Sequence, residues 1–309
     1  LDPHEDPRLA QMNEALSESS ELSLEQFVEA IRPDIGLIKR ALRGELIIPD
    51  FESFRDELSV MFKETAANRD GKNASYIPPL AEVDPEHFGV AVCSVDGQRM
   101  TFGDCEDTFS VQSATKPITY AFAVEEHGLD RVHEHVGFEP SGLSFNEYAL
   151  KDNRIPHNPL INSGAIMCAG MLGRKYENRE ERVRYIRERW SHLTGGVWPA
   201  VNQTVYEGES RTGHRNRALA FMMHNEDAFK GGVYGEIDEE ELKNIVETYF
   251  TCCAFELNAS DLATVAATFA SGGICPVTDA RVLRSRTVRA CLSLMDSCGM
   301  YDFSGELAF

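Results

Sequence analysis

Apolar residues recur at helical spacing through the first part of the chain and shift to a strand-like rhythm near residue 89. Phe27, Val28 and Ile31 share one face of a predicted helix from Leu24 to Ile31. Ile35, Ile38 and Leu42 do the same from Asp34 to Arg43, where Gly44 is a natural stop. A third helix is predicted from Phe51 to Thr65. The polar run from Asn68 to Asn73 reads as a linker. Beyond it, Gly89 to Val95 is strand-like, Asp96-Gly97 is a hairpin turn, and Gln98 to Phe102 returns. Phe109-Ser110-Val111 leads into a helix from Ser113 to His127, ended by Gly128, with Pro117 in the first turn where its missing N–H costs little. Further helices are predicted over Gly164 to Gly173, Glu180 to Leu193, Gly213 to Met223, Glu239 to Phe255 and Ala259 to Ser271. The change of rhythm divides the chain into a helical region, 1–70, and a mixed region, 71–309.

Charge narrows the partners. The formal net charge is −20, against either a nucleic-acid backbone or an anionic membrane, both of which need clustered Lys and Arg. The arginines from Arg179 to Arg189 are interleaved with Glu177, Glu180, Glu181 and Glu188 and read as a solvated helix face with i,i+4 pairs. No apolar run approaches the roughly 20 residues of a membrane span. Leu1 to Arg8 is polar and acidic, unlike a signal peptide, although the missing initiator methionine suggests a processed or trimmed chain. None of the eight cysteines forms a C-x-x-C pair, so reduced, mostly buried thiols and an intracellular compartment are expected. His133 and His135 have no second ligand pair at metal-site spacing and read as a surface helix end.

The stretch from Ser17 to Phe27 resembles a decayed EF-hand loop. With Leu22 as its central apolar position, Ala15, Ser17 and Ser19 stand where carboxylates belong, Ser20 where glycine turns the chain, and Gln26 where a bidentate glutamate closes the site. Such a loop is not expected to hold calcium.

The chemistry concentrates at Ser113-Ala114-Thr115-Lys116. Serine and lysine three residues apart at a helix start share a face, so the hydroxyl can be a nucleophile and the amine its base. The positive end of the helix would stabilise charge developing on Ser113, and it joins burial in favouring the neutral amine a base must be. A helix-capping serine beside an exposed lysine would give the same four letters. The surroundings decide. Glu139-Pro140-Ser141-Gly142, His157-Asn158-Pro159-Leu160-Ile161-Asn162-Ser163-Gly164, Gly213-His214-Arg215-Asn216, Gly272-Gly273-Ile274-Cys275-Pro276 and Cys298-Gly299-Met300-Tyr301-Asp302-Phe303-Ser304-Gly305 follow in order. This string resembles the serine-dependent glutaminases, most closely the kidney-type animal enzymes, over Tyr76 to Phe309. The helical region before it resembles that subfamily's N-terminal extension.

The resemblance implies an α/β catalytic domain of the serine β-lactamase and penicillin-binding-protein type over 71–309. That fold is a mainly antiparallel sheet flanked by helices with a helical subdomain, here preceded by a small all-α EF-hand-like domain. It implies hydrolysis of L-glutamine to L-glutamate and ammonia. Ser113 would be the nucleophile, Lys116 and Tyr301 would handle protons, and Tyr76, Asn162, Glu209, Asn216 and Tyr249 would grip the substrate together with Ser113 and Tyr301. No cofactor or metal is expected. Residues 142–151 resemble a loop that gates the site and lies between subunits, which implies a homodimer or homotetramer and raises filaments and activation by inorganic phosphate. The polar positions of Gly142-Leu143-Ser144-Phe145-Asn146 differ from the animal pattern, so anion activation is not assumed. The compartment would be the mitochondrial matrix in an animal-like setting and the cytoplasm otherwise.

In the family a Lys-Ser-Gly-Val strand follows the Tyr301 segment and supplies an oxyanion-hole N–H, a donor typically worth about 10²–10³ in rate. The chain reaches Phe309 before such a strand, and Lys230-Gly231-Gly232 lies in the wrong order to replace it, which puts full activity of this polypeptide in question. Two other readings compete: a β-lactamase or penicillin-binding enzyme, and a silent assembly subunit.

Overall fold

A computed structural model of the chain describes residues 9–17, 21–32, 34–176 and 178–309. Four helices open it: α1 (Ala10–Ser17), α2 (Leu24–Ile31), α3 (Ile35–Arg43) and α4 (Phe51–Ala66). Ser19 and Ser20 of the EF-hand-like stretch lie outside the described residues. Gln26, its closing position, is engaged locally. Its Oε1 accepts from Ser23 N at 2.9 Å while Ser23 Oγ accepts from Gln26 N at 3.2 Å, a reciprocal cap that starts α2.

Next come α5 (Pro78–Ala81) and a hairpin of β1 (Gly89–Cys93) and β2 (Arg99–Gly103), antiparallel in the register Gly89↔Gly103 to Cys93↔Arg99. Ser94 N reaches Gln98 O at 2.9 Å, leaving a three-residue turn that Gly97 closes at φ +81°. The opening region is fastened to this hairpin. Ile47 N and Ile48 N donate to Asp96 Oδ2 and Gln98 Oε1, both at 3.0 Å, and Phe62 of α4 stacks on Phe88 and Phe102. Gly103 makes the stacking feasible. A Cβ there would lie 2.2 Å from Phe88 O and 2.8 Å from the Phe62 ring.

The remaining elements are β3 (Phe109–Ser110), a 3-10 turn (Gln112–Ala114), α6 (Thr115–His127), α7 (Leu129–His133), α8 (Asn162–Met171), α9 (Arg179–Thr194), β4 (Ala200–Val201), α10 (Gln203–Thr212), α11 (His214–Asn225), α12 (Glu239–Cys253), β5 (Phe255–Leu257), α13 (Ala259–Ala270), α14 (Ser285–Cys298), a 3-10 turn (Tyr301–Phe303) and α15 (Ser304–Ala308). The antiparallel strands anticipated from the sequence are divided between the hairpin and a short sheet ordered β3-β5-β4. Phe255, assigned to the end of a helix by its apolar neighbours, is the first residue of β5 instead, because Ala254 ends α12. Helix α10 was not anticipated. Its sequence is polar, with only Val205, Gly208 and Glu209 buried, so it carries little periodic signal. Helix α14 does carry one, with Val288, Cys291, Leu294 and Cys298 buried at helical spacing.

Helix α8 is the hub. Every one of its residues is buried, and α6, α11 and α12 pack around it. Its small residues set how closely the neighbours approach. A Cβ on Gly164 would fall 1.9 Å from Asn158 O, and on Gly170 2.8 Å from the Tyr234 hydroxyl. Gly164→Ala is therefore expected to destabilise the chain by about 3 kcal/mol or more, since backbone cannot swing aside as a side chain can. A denaturant titration would show it, and an unchanged midpoint would contradict this account of the α8 start.

Two charge readings change. The α9 arginines were read as a solvated face with pairs along the helix, but among the described residues no ion pair joins two residues of α9. Arg179, Arg182 and Arg187 reach other elements instead, while Arg184 is exposed as expected. Arg182 is buried and meets Glu241 at 2.7 Å, sharing it with Arg174 at 2.9 Å, and Arg187 donates to Pro199 O at 2.8 Å. His133 and His135 were read as a surface helix end. His135 is buried, its Nδ1 on Ala228 O at 3.1 Å and its Nε2 accepting from Val233 N at 3.1 Å, because the loop around Gly232 folds over it. His133 is half-buried, with its ring nitrogens 3.0 Å from Tyr120 OH and 2.9 Å from Val136 O. No disulfide joins any of the cysteines, and seven of the eight are buried, as their apolar surroundings implied. No described helix is long and apolar enough to cross a membrane.

Candidate active site

Ser113 lies in the middle of the 3-10 turn, just before α6 rather than inside it. In that geometry residues i and i+3 nearly eclipse, which brings Ser113 and Lys116 to one side. Ser113 is exposed and Lys116 is 1% exposed. The preceding residue, Gln112, has φ +45°, and Tyr301 has φ +52°. Such left-handed backbone in residues with bulky side chains costs about 1–3 kcal/mol and tends to mark functional sites.

Lys116 Nζ donates to Asn162 Oδ1 at 2.8 Å and to Tyr301 OH at 3.0 Å. Asn162 in turn donates from Nδ2 to Asn216 Oδ1 at 2.9 Å. The lysine thus orients one amide and, through it, a second, leaving the Asn216 Nδ2 group as the donor at the end of the chain. Asn162 begins α8, and the turn before it is shaped by Asn158, whose Oδ1 accepts from Leu160 N at 3.0 Å and Ile161 N at 3.2 Å. Asn162 N reaches Phe145 O at 2.8 Å, which holds the 142–150 segment against the site.

Glu209 is 4% exposed and accepts from Tyr76 OH at 2.7 Å. Burial raises its carboxyl above the usual range, with the Tyr76 hydrogen bond opposing. Tyr76 OH also lies 2.8 Å from Gln112 Oε1, yet one hydroxyl proton cannot serve two acceptors, and Gln112 Nε2 is buried without a partner. Exchanging the amide O and N of Gln112 gives its N–H an acceptor and leaves the Tyr76 proton to one acceptor, so Gln112 donates to Tyr76, which donates to Glu209. Although Tyr76 is 61% exposed, desolvation at its hydroxyl end, reinforced by the neighbouring Glu209, raises the phenol's pKa above its usual range. Tyr249 is buried beside Cys253, and burial pushes that thiol up to about 12, with Glu209 adding and Lys116 opposing.

These residues enclose a cleft of about 510 Å³. Tyr76, Ser113, Asn162, Glu209, Asn216, Tyr249 and Tyr301 line it, and Lys116 stands behind through its bonds to Asn162 and Tyr301. The structure therefore brings together every residue singled out in the sequence. It adds others to the lining, among them Gln112, Asn146, Thr212, Arg215 and Cys253. Cys253 lies one helical turn beyond Tyr249 on α12, a spacing that could have flagged it. A second cleft of about 740 Å³ also opens beside Ser113, but its walls include Ile118, Val265, Phe269, Leu292 and Met295. A charged group finds no partner among those apolar side chains, so the smaller, polar cleft is the one suited to a charged ligand.

The Glu209→Gln change is expected to act in opposite directions on affinity and stability. Because the folded carboxyl is raised above its unfolded value, the chain gains protons on folding, and this group's contribution to stability falls as pH rises from the unfolded value through the folded one. Near neutral pH the amide should therefore raise the melting temperature of the unliganded chain. It should also weaken binding of an amino acid's ammonium by about 10–100-fold, the range for one charged hydrogen bond. Paired thermal melts and titrations would test this, and a lower melting temperature would refute the cost assigned to the buried carboxylate.

Comparisons with known proteins follow the same lines. A sequence model of the glutaminase family matches residues 71–309, and one of an EF-hand domain matches 3–49. The mitochondrial liver-isoform glutaminase of Mus musculus is 37% identical over 98% of this chain and 50% of its own length. Putative glutaminase 2 of Caenorhabditis elegans is 37% identical over 99% of this chain and 52% of its own. The glutaminase of Microcystis aeruginosa is 38% identical over 83% and 72%. The chain spans about half the length of the animal relatives it matches. Among solved structures, Mglu in its glutamate form superposes with a TM-score of 0.72 at 34% identity, covering 81% of this chain and 56% of that one.

Proposed function

The chain belongs to the glutaminase family, and from that premise we propose that its polar cleft hydrolyses L-glutamine to L-glutamate and ammonia. The observation that carries the reading is the opposition, within one cleft, of a buried carboxylate on Glu209 and a serine whose i+3 lysine is buried against Asn162 and Tyr301. Glu209 would hold the α-ammonium, with Asn162, Asn216, Tyr76 and Tyr249 as neutral partners for the α-carboxylate. That pose directs the side-chain amide towards Ser113.

Ser113 Oγ then attacks the amide carbon. Its proton passes to Lys116 and on, by way of Tyr301, to the leaving nitrogen, which departs as ammonia. Water attacks the resulting ester by the reverse proton path and releases glutamate. Tyr301 OH accepts from Lys116, so its own proton is free to point into the cleft, as a relay requires. None of these steps calls for a cofactor.

Ammonia release from L-glutamine, with glutamate formed in equal amount, tests the reading, and a chromogenic β-lactam assayed in parallel tests its nearest competitor. Turnover of the β-lactam alone would reassign the chain. Folded protein that turns over neither would favour an assembly role.

Self-association as a dimer or tetramer belongs to the same proposal. It is supported by the exposed Phe138, Leu143, Phe145 and Tyr148 beside the site. A compartment that keeps thiols reduced is a further part of it. Sedimentation would test the assembly.

A further inference from the structure

Outside the lining of the polar cleft, the helices that carry the substrate ligands are joined at one carboxylate. Glu247 Oε1 accepts from Ser210 Oγ at 3.1 Å and from Arg217 Nη2 at 2.8 Å, and Glu247 Oε2 accepts from Tyr206 OH at 2.9 Å. Arg217 also donates to the Ser210 backbone oxygen, and Arg179 donates to Tyr206 OH at 2.6 Å. The Glu247 and Arg217 side chains are 21% and 30% exposed, so the pair is largely shielded from solvent.

The positions matter more than the number of bonds. Ser210 follows Glu209 on α10, Arg217 follows Asn216 on α11, and Glu247 stands two residues before Tyr249 on α12. Each of the three helices thus presents one group to the cleft and another, one or two positions away, to the Glu247 cluster. Residues that close in sequence on a rigid helix move together. A carboxylate holding the three outer groups therefore also sets the spacing of Glu209, Asn216 and Tyr249. Glu247 itself does not line the cleft.

We propose that Glu247 is a positioning residue for substrate recognition, clamping α10, α11 and α12 so that Glu209, Asn216 and Tyr249 stand at the separation an amino acid's ammonium and carboxylate require. The inference rests on the proposed function for the identity of the ligand. It concerns ground-state grip rather than the chemical step, since no member of the cluster hydrogen-bonds to Ser113, Lys116 or Tyr301.

Glu247→Gln keeps the side chain's shape and removes its charge. Binding of L-glutamate, measured calorimetrically, should weaken about 10-fold, with KM for glutamine rising in step, because misplacement of binding groups by even about 1 Å is costly. The value of kcat should stay within about 3-fold, since the reacting groups make no hydrogen bond to the cluster. Tyr206→Phe, which removes one arm and keeps the ring, should weaken binding about 2–3-fold by loss of one hydrogen bond and supplies a second arm should Glu247→Gln fail to fold.

A purely structural role predicts a different pattern: a lower melting temperature and fewer competent sites per chain, with the dissociation constant of the remaining sites unchanged. That pattern, or a fall in kcat at constant KM, would overturn the proposal. Failure of the unmodified folded chain to bind L-glutamate would remove the proposed function and this inference together. An unchanged dissociation constant in both variants would remove this inference alone.

Discussion

Alanine at Ser113 is expected to reduce glutamine hydrolysis by about 10⁴-fold or more, as loss of an activated serine nucleophile does elsewhere, while L-glutamate binding changes little. The hydroxyl is the only part of the residue the mechanism uses, and the site it leaves is exposed, so no cavity forms in the core. The cleft does contain a second candidate nucleophile, Cys253, of a more reactive residue type. Burial holds its thiol protonated, with Glu209 opposing the thiolate further. Serine, supported by the adjacent lysine, is therefore assigned the attack. Ammonia release and calorimetric binding on the same preparation would separate chemistry from recognition. Residual activity above about 1% of the unmodified chain would be far too high for loss of the nucleophile and would move the attack to an activated water or to Cys253.

Methionine at Lys116 should lower kcat by about 10³-fold, within the range for removing a positioned general base. The change keeps an unbranched side chain of similar reach but deletes the group that binds Asn162 and Tyr301. Two effects on stability oppose one another. The Asn162 acceptor loses its donor, worth about 1–3 kcal/mol when buried, while an amine no longer has to be buried at 1% exposure. Folding should therefore survive. The diagnostic is a comparison with Tyr301→Phe assayed alongside. If Lys116 is the base, its loss lowers kcat far more than loss of the Tyr301 hydroxyl; the reverse order would transfer the role to Tyr301, the other proton-bearing group within reach.

Much of the local structure was legible because it follows from neighbours in sequence. Helices α2, α3, α4, α6, α9 and α12 announce themselves by apolar spacing or by caps such as Ser23, Asp50, Asn178 and Asp238, whose side chains accept from the first turn. The Asp96-Gly97 pair marked the hairpin. Misreadings fell where partners are distant. The α9 arginines looked solvated because Glu241, which holds Arg182, comes from another helix. His135 looked exposed because the loop that covers it lies about a hundred residues on, with Val233 at a separation of 98.

The sequence by itself determined the order of elements, the serine–lysine pair and the types of side chain available for an amino-acid substrate, since these depend on composition, spacing and short-range caps. Only the tertiary structure decided how those groups act together. It places Lys116 against Asn162 and Tyr301, 46 and 185 residues away, turns Gln112 onto Tyr76, and gathers Ser210, Arg217 and Tyr206 on Glu247. The reason is physical. A hydrogen-bond network of this kind is specified by how α8 packs among α6, α11 and α12, and that packing rests on close approaches, such as Gly164 against Asn158, that no local pattern records.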